Sequence, residues 1–195
     1  ASGTEPVVRV MVEGEDAAAT SQKAQIELFQ YFQKLVEDRR KNPQDDLITT
    51  FVQAEYEGRK LNDMEVLSWC FIIVIAGNET TRNGTTGGML AFIQHQSELR
   101  RLQSDMGMLK DAIEEVTRWT SPIIHFGRTA TQDYQLRDKT ILEGQSVALY
   151  YPSANRDEEV FEDPWNFKID RKPNRHIGFG VGEHFCLGAH LARME

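Results

Sequence analysis

Apolar residues recur along 20–41 at Ile26, Phe29, Phe32, Leu35 and Val36, a spacing that puts all five on one face of a helix. Arg39, Arg40 and Lys41 then stand where a helix C-terminus favours cations. Pro43, Asp45 and Asp46 punctuate the chain, and a second helix is predicted from Asp46 to about Glu57, ended by Gly58. The longest helical signal follows. Asn62 and Glu65 have the spacing of a capping box, and from there the pattern predicts a helix over 63–94. Between Leu67 and Ala76 it is apolar on every side, as in a helix that runs through a larger core. Gly77, Gly84, Gly87 and Gly88 inside it predict either a kink or the close approach of another group. A further amphipathic helix is predicted over 108–120, stopped by Pro122.

After Pro122 the period changes. Residues 123–131, 134–136 and 146–151 read as short strands separated by Asp, Lys and Gly turns. Residues 160–176, rich in Pro, Asp, Asn and Arg, have no period and read as ordered coil, and a helix begins within 187–195. No internal repeat is visible. The fold class is mainly α with small β-sheets, in a single domain.

Composition narrows the function classes. Hydrophobic residues make up 40% of the 195 and charged residues 27%, ordinary for a globular protein and unlike a disordered one. A net charge of −8 argues against nucleic acid as a partner, which needs a basic face. The most apolar run, 67–77, is too short for a membrane span. Residues 1–6 lack the basic and apolar regions of a signal peptide. Two cysteines are too few for a disulfide framework, so the expected compartment is reducing and cytoplasmic.

The sharpest local chemistry lies in Phe179-Gly180-Val181-Gly182-Glu183-His184-Phe185-Cys186-Leu187-Gly188. Glycines relax a loop that presents one thiol beside the start of a helix, whose partial positive charge favours the thiolate. An isolated cysteine beside a glycine turn is more often an inert buried one; this arrangement is longer and more specific. The spacing of Phe179, Gly182, His184, Cys186 and Gly188 resembles the cysteine-ligand signature of the cytochromes P450. Two more segments resemble P450 signatures in the expected order, so the likeness runs from about residue 20 to the end.

The first of these is Ala76-Gly77-Asn78-Glu79-Thr80-Thr81, similar to the distal oxygen-activation segment. The resemblance implies that Ala76 and Gly77 lie against the cofactor, with Glu79 the acid and Thr80 the alcohol that relay protons. A Thr bonded back to its own helical turn is the plainer alternative. The second is Glu115-Val116-Thr117-Arg118, an acid and an arginine three apart on one helix face. In the family this ExxR pair is structural and pins the coil before the ligand loop. Its usual third member, an Arg in a Pro-x-Arg-Phe pattern, is replaced here by Pro164-Trp165-Asn166-Phe167, and either Arg156 or Arg171 stands in.

By the same resemblance Cys186 ligates the iron of haem b (iron protoporphyrin IX), with Phe179 and Gly180 beside it, and Arg128 and His184 bind the propionates. Cys70, Trp69, Phe71 and Trp119 read as packing residues. The implied activity is a monooxygenase inserting one oxygen atom from O2 into a C–H bond of a small hydrophobic substrate. Electrons come from NAD(P)H through ferredoxin reductase and ferredoxin. Arg171, Lys172, Arg175 and His176 form either a docking patch for an acidic ferredoxin or a solvated loop. The wording of 76–82, 153–157 and 191–194 is similar to members that hydroxylate sterols and branched lipids. A P450 domain is longer than this chain, so the reading is an incomplete P450 fold, an interior fragment. A non-catalytic haem module and a fragment unable to hold haem alone are the alternatives; Glu79 with Thr80 favours the enzyme.

Overall fold

The computed structural model describes residues 17–195, arranged as two compact units that meet in sequence at Ala76 and Gly77. The expectation about a leader at residues 1–6 lies outside the described residues. Among the described residues no helix is long and apolar enough to cross a membrane.

In the first unit α1 (Ala17–Lys41) packs beside α2 (Leu47–Gln53), and α3 (Asp63–Gln94) begins. Phe32 and Val36 of α1, Val52 of α2, and Val66, Leu67 and Cys70 of α3 form the buried core. Phe29 stacks on Phe71 with ring centroids 4.9 Å apart. Asp46 caps α2 by accepting the Thr49 N–H at 2.7 Å and also receives Arg39 Nε at 2.5 Å. The second helix is shorter than its pattern suggests. It stops at Gln53, and a two-residue hairpin follows: β1 (Glu55–Tyr56) against β2 (Arg59–Lys60). Glu57 and Gly58 turn it with φ of +52° and +77°, the pair of left-handed residues that matches strand twist in a tight hairpin. Gly58 therefore ends a β-turn rather than a helix. The capping box of α3 is reciprocal: the Glu65 N–H donates to Asn62 Oδ1 at 3.0 Å and the Asn62 N–H to Glu65 Oε2 at 2.8 Å.

In the second unit the rest of α3 is followed by α4 (Gln96–Ser104), a short 3-10 turn, and α5 (Leu109–Thr120). Then come β3 (His125–Thr129), β4 (Tyr134–Leu136), β5 (Lys139–Ile141) and β6 (Ser146–Tyr150). β3 pairs antiparallel with β6, and β4 with β5. The four-residue helix α6 (Tyr151–Ala154), a long coil, a 3-10 turn at Gly182–His184 and α7 (Ala189–Ala192) complete it. Ala91 of α3, Leu102 of α4, Ala112 of α5 and Phe167 and Ile169 of the coil form its core.

α3 is continuous through its glycines. Of the two readings of those glycines, close approach holds: a Cβ on Gly88 would lie 2.7 Å from Val116 of α5, and one on Gly87 2.8 Å from Thr120. Gly77 differs, with nothing within 4 Å of such a Cβ. The same substitution should therefore have opposite signs at the two positions. Gly→Ala in a helix gains up to about 1 kcal/mol of propensity, but overpacking costs about 1–3 kcal/mol. In urea titrations Gly88→Ala should lower the unfolding midpoint and Gly77→Ala raise it. A raised midpoint for both would mean that α3 and α5 separate at little cost.

Candidate active site

α5 is the backbone of the site because its faces point at different partners. Glu115 and Arg118, three apart, are both fully buried. Arg118 donates Nε to Glu115 Oε2 at 2.7 Å and Nη2 to Oε1 at 2.8 Å, a two-pronged pair. Its other donors reach into the coil: Nη1 to the carbonyls of Asn155 (2.8 Å) and Pro164 (2.9 Å), Nη2 to that of Asn166 (3.3 Å). Glu115 also accepts the Lys168 N–H at 2.9 Å.

The third member of this network is Arg171. Its Nε lies 3.0 Å from Glu115 Oε2, and its other nitrogens bond the carbonyls of Glu162, Asp163 and Asn166. Arg156 goes elsewhere, its guanidinium sandwiched 5.2 Å from the Trp119 ring and 5.5 Å from Trp165. Asn166, at the place of the family's usual Arg, contributes a backbone carbonyl that both Arg118 and Arg171 share. Asn155 is a second buried hub, donating Nδ2 to Ser121 Oγ at 2.9 Å and accepting the Ile177 N–H at 2.8 Å. Together these bonds fix the coil from 155 to 178, which has no ladder or helix of its own to satisfy its polar backbone.

The coil delivers the cysteine loop onto α5. Gly178 is buried where a Cβ would stand 2.7 Å from Thr117. Beyond it Gly180 and Gly182 take φ of +75° and +71°, turning the chain back so that the Cys186 N–H donates to the Phe179 carbonyl at 2.8 Å. Cys186 is a free, exposed thiol at the head of this loop. Val181, Phe185 and Leu187 around it are exposed apolar side chains, Leu187 at 84%. His184 is exposed on the 3-10 turn just before.

Arg128 is exposed on β3 opposite Val147, with Nη1 on the Gly127 carbonyl at 2.8 Å and its guanidinium 6.0 Å from the Phe126 ring. Phe126 meets Tyr151 edge-on at 6.0 Å, and the Tyr151 hydroxyl lies 3.5 Å from where Gly180 would carry a Cβ. Buried Tyr151 thus links the arginine strand to the cysteine loop.

Glu79 is exposed on α3 with Arg82 Nη2 at 2.6 and 2.5 Å from its two oxygens and Asn83 Nδ2 at 3.2 Å. The Arg82 hydrogen bond holds its carboxyl below the usual carboxylate range. Thr80 beside it is half-buried, Ala76 and Gly77 are exposed, and the helix does not open at this point. α5 is what α3 and the cysteine loop share: Val116 and Thr120 receive the α3 glycines, while Thr117 receives Gly178.

The basic run before the loop is less exposed than its spelling suggests. The Arg171 side chain is 5% exposed and bound to Glu115, and His176 is 5% exposed with Nε2 2.8 Å from Glu114. A buried cation needs a carboxylate, and Arg171 has one; His176 instead meets Glu114 as a hydrogen-bond partner. Lys172, paired with Asp111 at 2.8 Å, and Arg175 remain exposed. Burial pushes the His176 pKa below its ordinary 6.5, and the hydrogen bond to Glu114 only partly opposes this. Neutral when folded, His176 contributes stability that is full above pH 6.5 and is lost as pH falls below that value, because the unfolded chain takes the proton first. Between about pH 7.5 and 5.5 the urea midpoint should fall more for the native chain than for His176→Gln. Equal falls would assign the pH dependence to other groups.

The chain matches the family described as cytochrome P450 over residues 14–195. It is 48% identical over 167 residues to the methyl-branched lipid omega-hydroxylase of Mycobacterium tuberculosis, covering 85% of this chain and 39% of that protein. To the steroid C26-monooxygenase of the same organism it is 46% identical over 169 residues, covering 86% and 39%. Among solved structures, that of CYP109E1 from Bacillus megaterium in complex with testosterone superposes with a TM-score of 0.86 at 41% identity, covering 90% of this chain and 49% of that one. The chain therefore spans less than half the length of these relatives, with the mainly helical P450 fold over that part. By sequence and by fold, it belongs to the cytochrome P450 family.

Proposed function

We propose that this chain is the haem-binding part of a monooxygenase that hydroxylates a hydrophobic substrate of the sterol or branched-lipid class. One observation carries the reading: Cys186 is an exposed, unpaired thiol on a glycine-turned loop whose amide is tied back to Phe179. Among the described residues no cluster of three His, Cys, Asp or Glu could hold a bare metal ion, so the thiol is a lone donor. A lone thiolate suits a metal that arrives in its own ligand frame, as in haem. The exposed apolar Val181, Phe185 and Leu187 suit a flat apolar group, and Arg128 and His184 suit its carboxylates. Open space around Gly77 and Gly182 leaves room for close approach.

When bound, haem b supplies the oxidising chemistry: one atom of O2 enters a C–H bond and the other leaves as water. In this reading Cys186, as thiolate, would hold the iron, on a loop kept in shape by Phe179 and Gly180. Glu79, ionised beside Arg82, would take up a proton at its carboxylate and give it to the Thr80 hydroxyl, which would pass its own proton on. Thr80→Ala should then divert reducing equivalents to peroxide while binding of substrate persists; undiminished coupling to product would remove Thr80 from the relay. Electrons reach the site from NAD(P)H through a reductase and a ferredoxin that docks at Lys172 and Arg175. The names of the two mycobacterial relatives support the substrate class. The deciding experiment is the carbon-monoxide difference spectrum of the reduced, haem-loaded chain. A strongly red-shifted Soret band is expected; a histidine-type band would overturn the proposal.

A further inference from the structure

The acid next to Glu115 bonds neither Arg118 nor Arg171, the two buried arginines that hold most of the coil. One residue along a helix is a turn of about 100°, so Glu114 leaves α5 on the side of the cysteine loop. Its Oε1 accepts Arg193 Nε at 2.5 Å, and its Oε2 accepts Arg193 Nη2 at 3.1 Å and His176 Nε2 at 2.8 Å. His176 Nδ1 accepts the Gly178 N–H at 3.1 Å, which places the ring proton on Nε2, facing the carboxylate. Arg193, directly after α7, lays its guanidinium 4.4 Å over the Phe179 ring. Phe179 in turn accepts the Cys186 N–H. One carboxylate therefore holds the chain on both sides of Cys186: on entry through His176 and Gly178, on exit through Arg193.

From this arrangement we infer that Glu114 and Arg193 are positioning residues that close the base of the Cys186 loop and clamp Phe179, fixing where the sulfur points. The two carboxylates at 114 and 115 divide the work, Glu115 ordering the coil and Glu114 shutting the loop it delivers. What the sulfur is positioned for rests on the function proposed above; the closure itself can be tested without any cofactor.

The test is amide hydrogen exchange on the full chain without haem, comparing Glu114→Gln, Arg193→Ala, the double variant and Arg193→Lys. The probes are the Cys186 amide, held by Phe179, and the Lys168 amide, held by Glu115. A charge-assisted pair closing the loop should, when cut, speed Cys186 exchange at least about tenfold. Lys168 should be unchanged, the double variant no faster than either single one, and Arg193→Lys intermediate. Unchanged Cys186 exchange, an equal rise at Lys168, or additive effects in the double variant would each overturn the inference. Haem-loaded Arg193→Ala should also give a smaller thiolate-type band. If the native chain gave no such band while the exchange pattern held, the haem reading would fall and the loop closure would stand.

Discussion

Glu115→Ala should unfold the second unit or bring it close to unfolding, a loss of about 3–5 kcal/mol or more. The reason is the number of buried donors that one carboxylate serves. Arg118 is fully enclosed and the Arg171 side chain 5% exposed, so removing the acceptor strands two guanidinium charges away from water. Arg118 would keep three carbonyls, which solvate a cation but do not neutralise it. Breaking one side of a buried pair costs more than the pair is worth, because the remaining charge stays buried. Folded domains have only about 5–15 kcal/mol in hand. Trp119 and Trp165 lie in this unit and Trp69 in the first, so urea unfolding followed by tryptophan fluorescence in a Trp69→Phe background reads it. Glu115→Gln should be nearly as harmful, since its amide turns a donor toward a donor. Arg171→Met should be milder, because Arg118 still neutralises Glu115 through two hydrogen bonds. A loss below about 1 kcal/mol for Glu115→Ala would sink the idea that this charge network orders the coil. The exposed pair of Glu79 and Arg82 makes the contrast: both side chains are more than half exposed, and Glu79→Ala should leave the midpoint where it is.

What the sequence disclosed and what it hid divide along the range of the interactions. The start of α3 is readable because Asn62 and Glu65 bond each other three residues apart. The likeness to the family is readable because it rests on contiguous spellings. α4 was missed: Leu99 and Leu102 are the sole apolar residues in Gln96–Ser104, too few to mark a period. The early end of α2 escaped because Glu57 carries a left-handed φ that its side chain does not announce. No local pattern could choose Arg171 over Arg156, since Arg171 meets Glu115 from 56 residues away. For the same reason the charges of 171–176 read as one exposed run, a docking patch or a solvated loop, although Arg171 and His176 turn inward and Lys172 and Arg175 do not. Tyr151 and Glu114 carried no signature, and Asn155 and Arg193 lay in family-like wording that did not say what they bond. Their roles exist only once the coil has returned to α5.

Cys186→Ala should remove the thiolate-type spectrum of the haem-loaded chain completely while leaving the loop in place. The two effects separate because the loop is held by the Cys186 backbone, whose N–H bonds Phe179, and by the glycines, while the thiol itself points outward. Substitutions at exposed side chains usually change stability by no more than about 0.5 kcal/mol, so the urea midpoint of the ligand-free variant should match the native one. Cys70→Ala is the control. Cys70 is packed in the core of the first unit, where burial pushes its thiol pKa up, and a protonated, enclosed sulfur is no metal donor. That variant should lose stability by leaving a small cavity and keep the spectrum. Haem taken up by Cys186→Ala with a histidine-type band would show that a histidine can replace the sulfur as the iron's ligand. Retention of the thiolate-type band would end the assignment of Cys186, because the remaining cysteine is buried in a core that no haem enters without unfolding it.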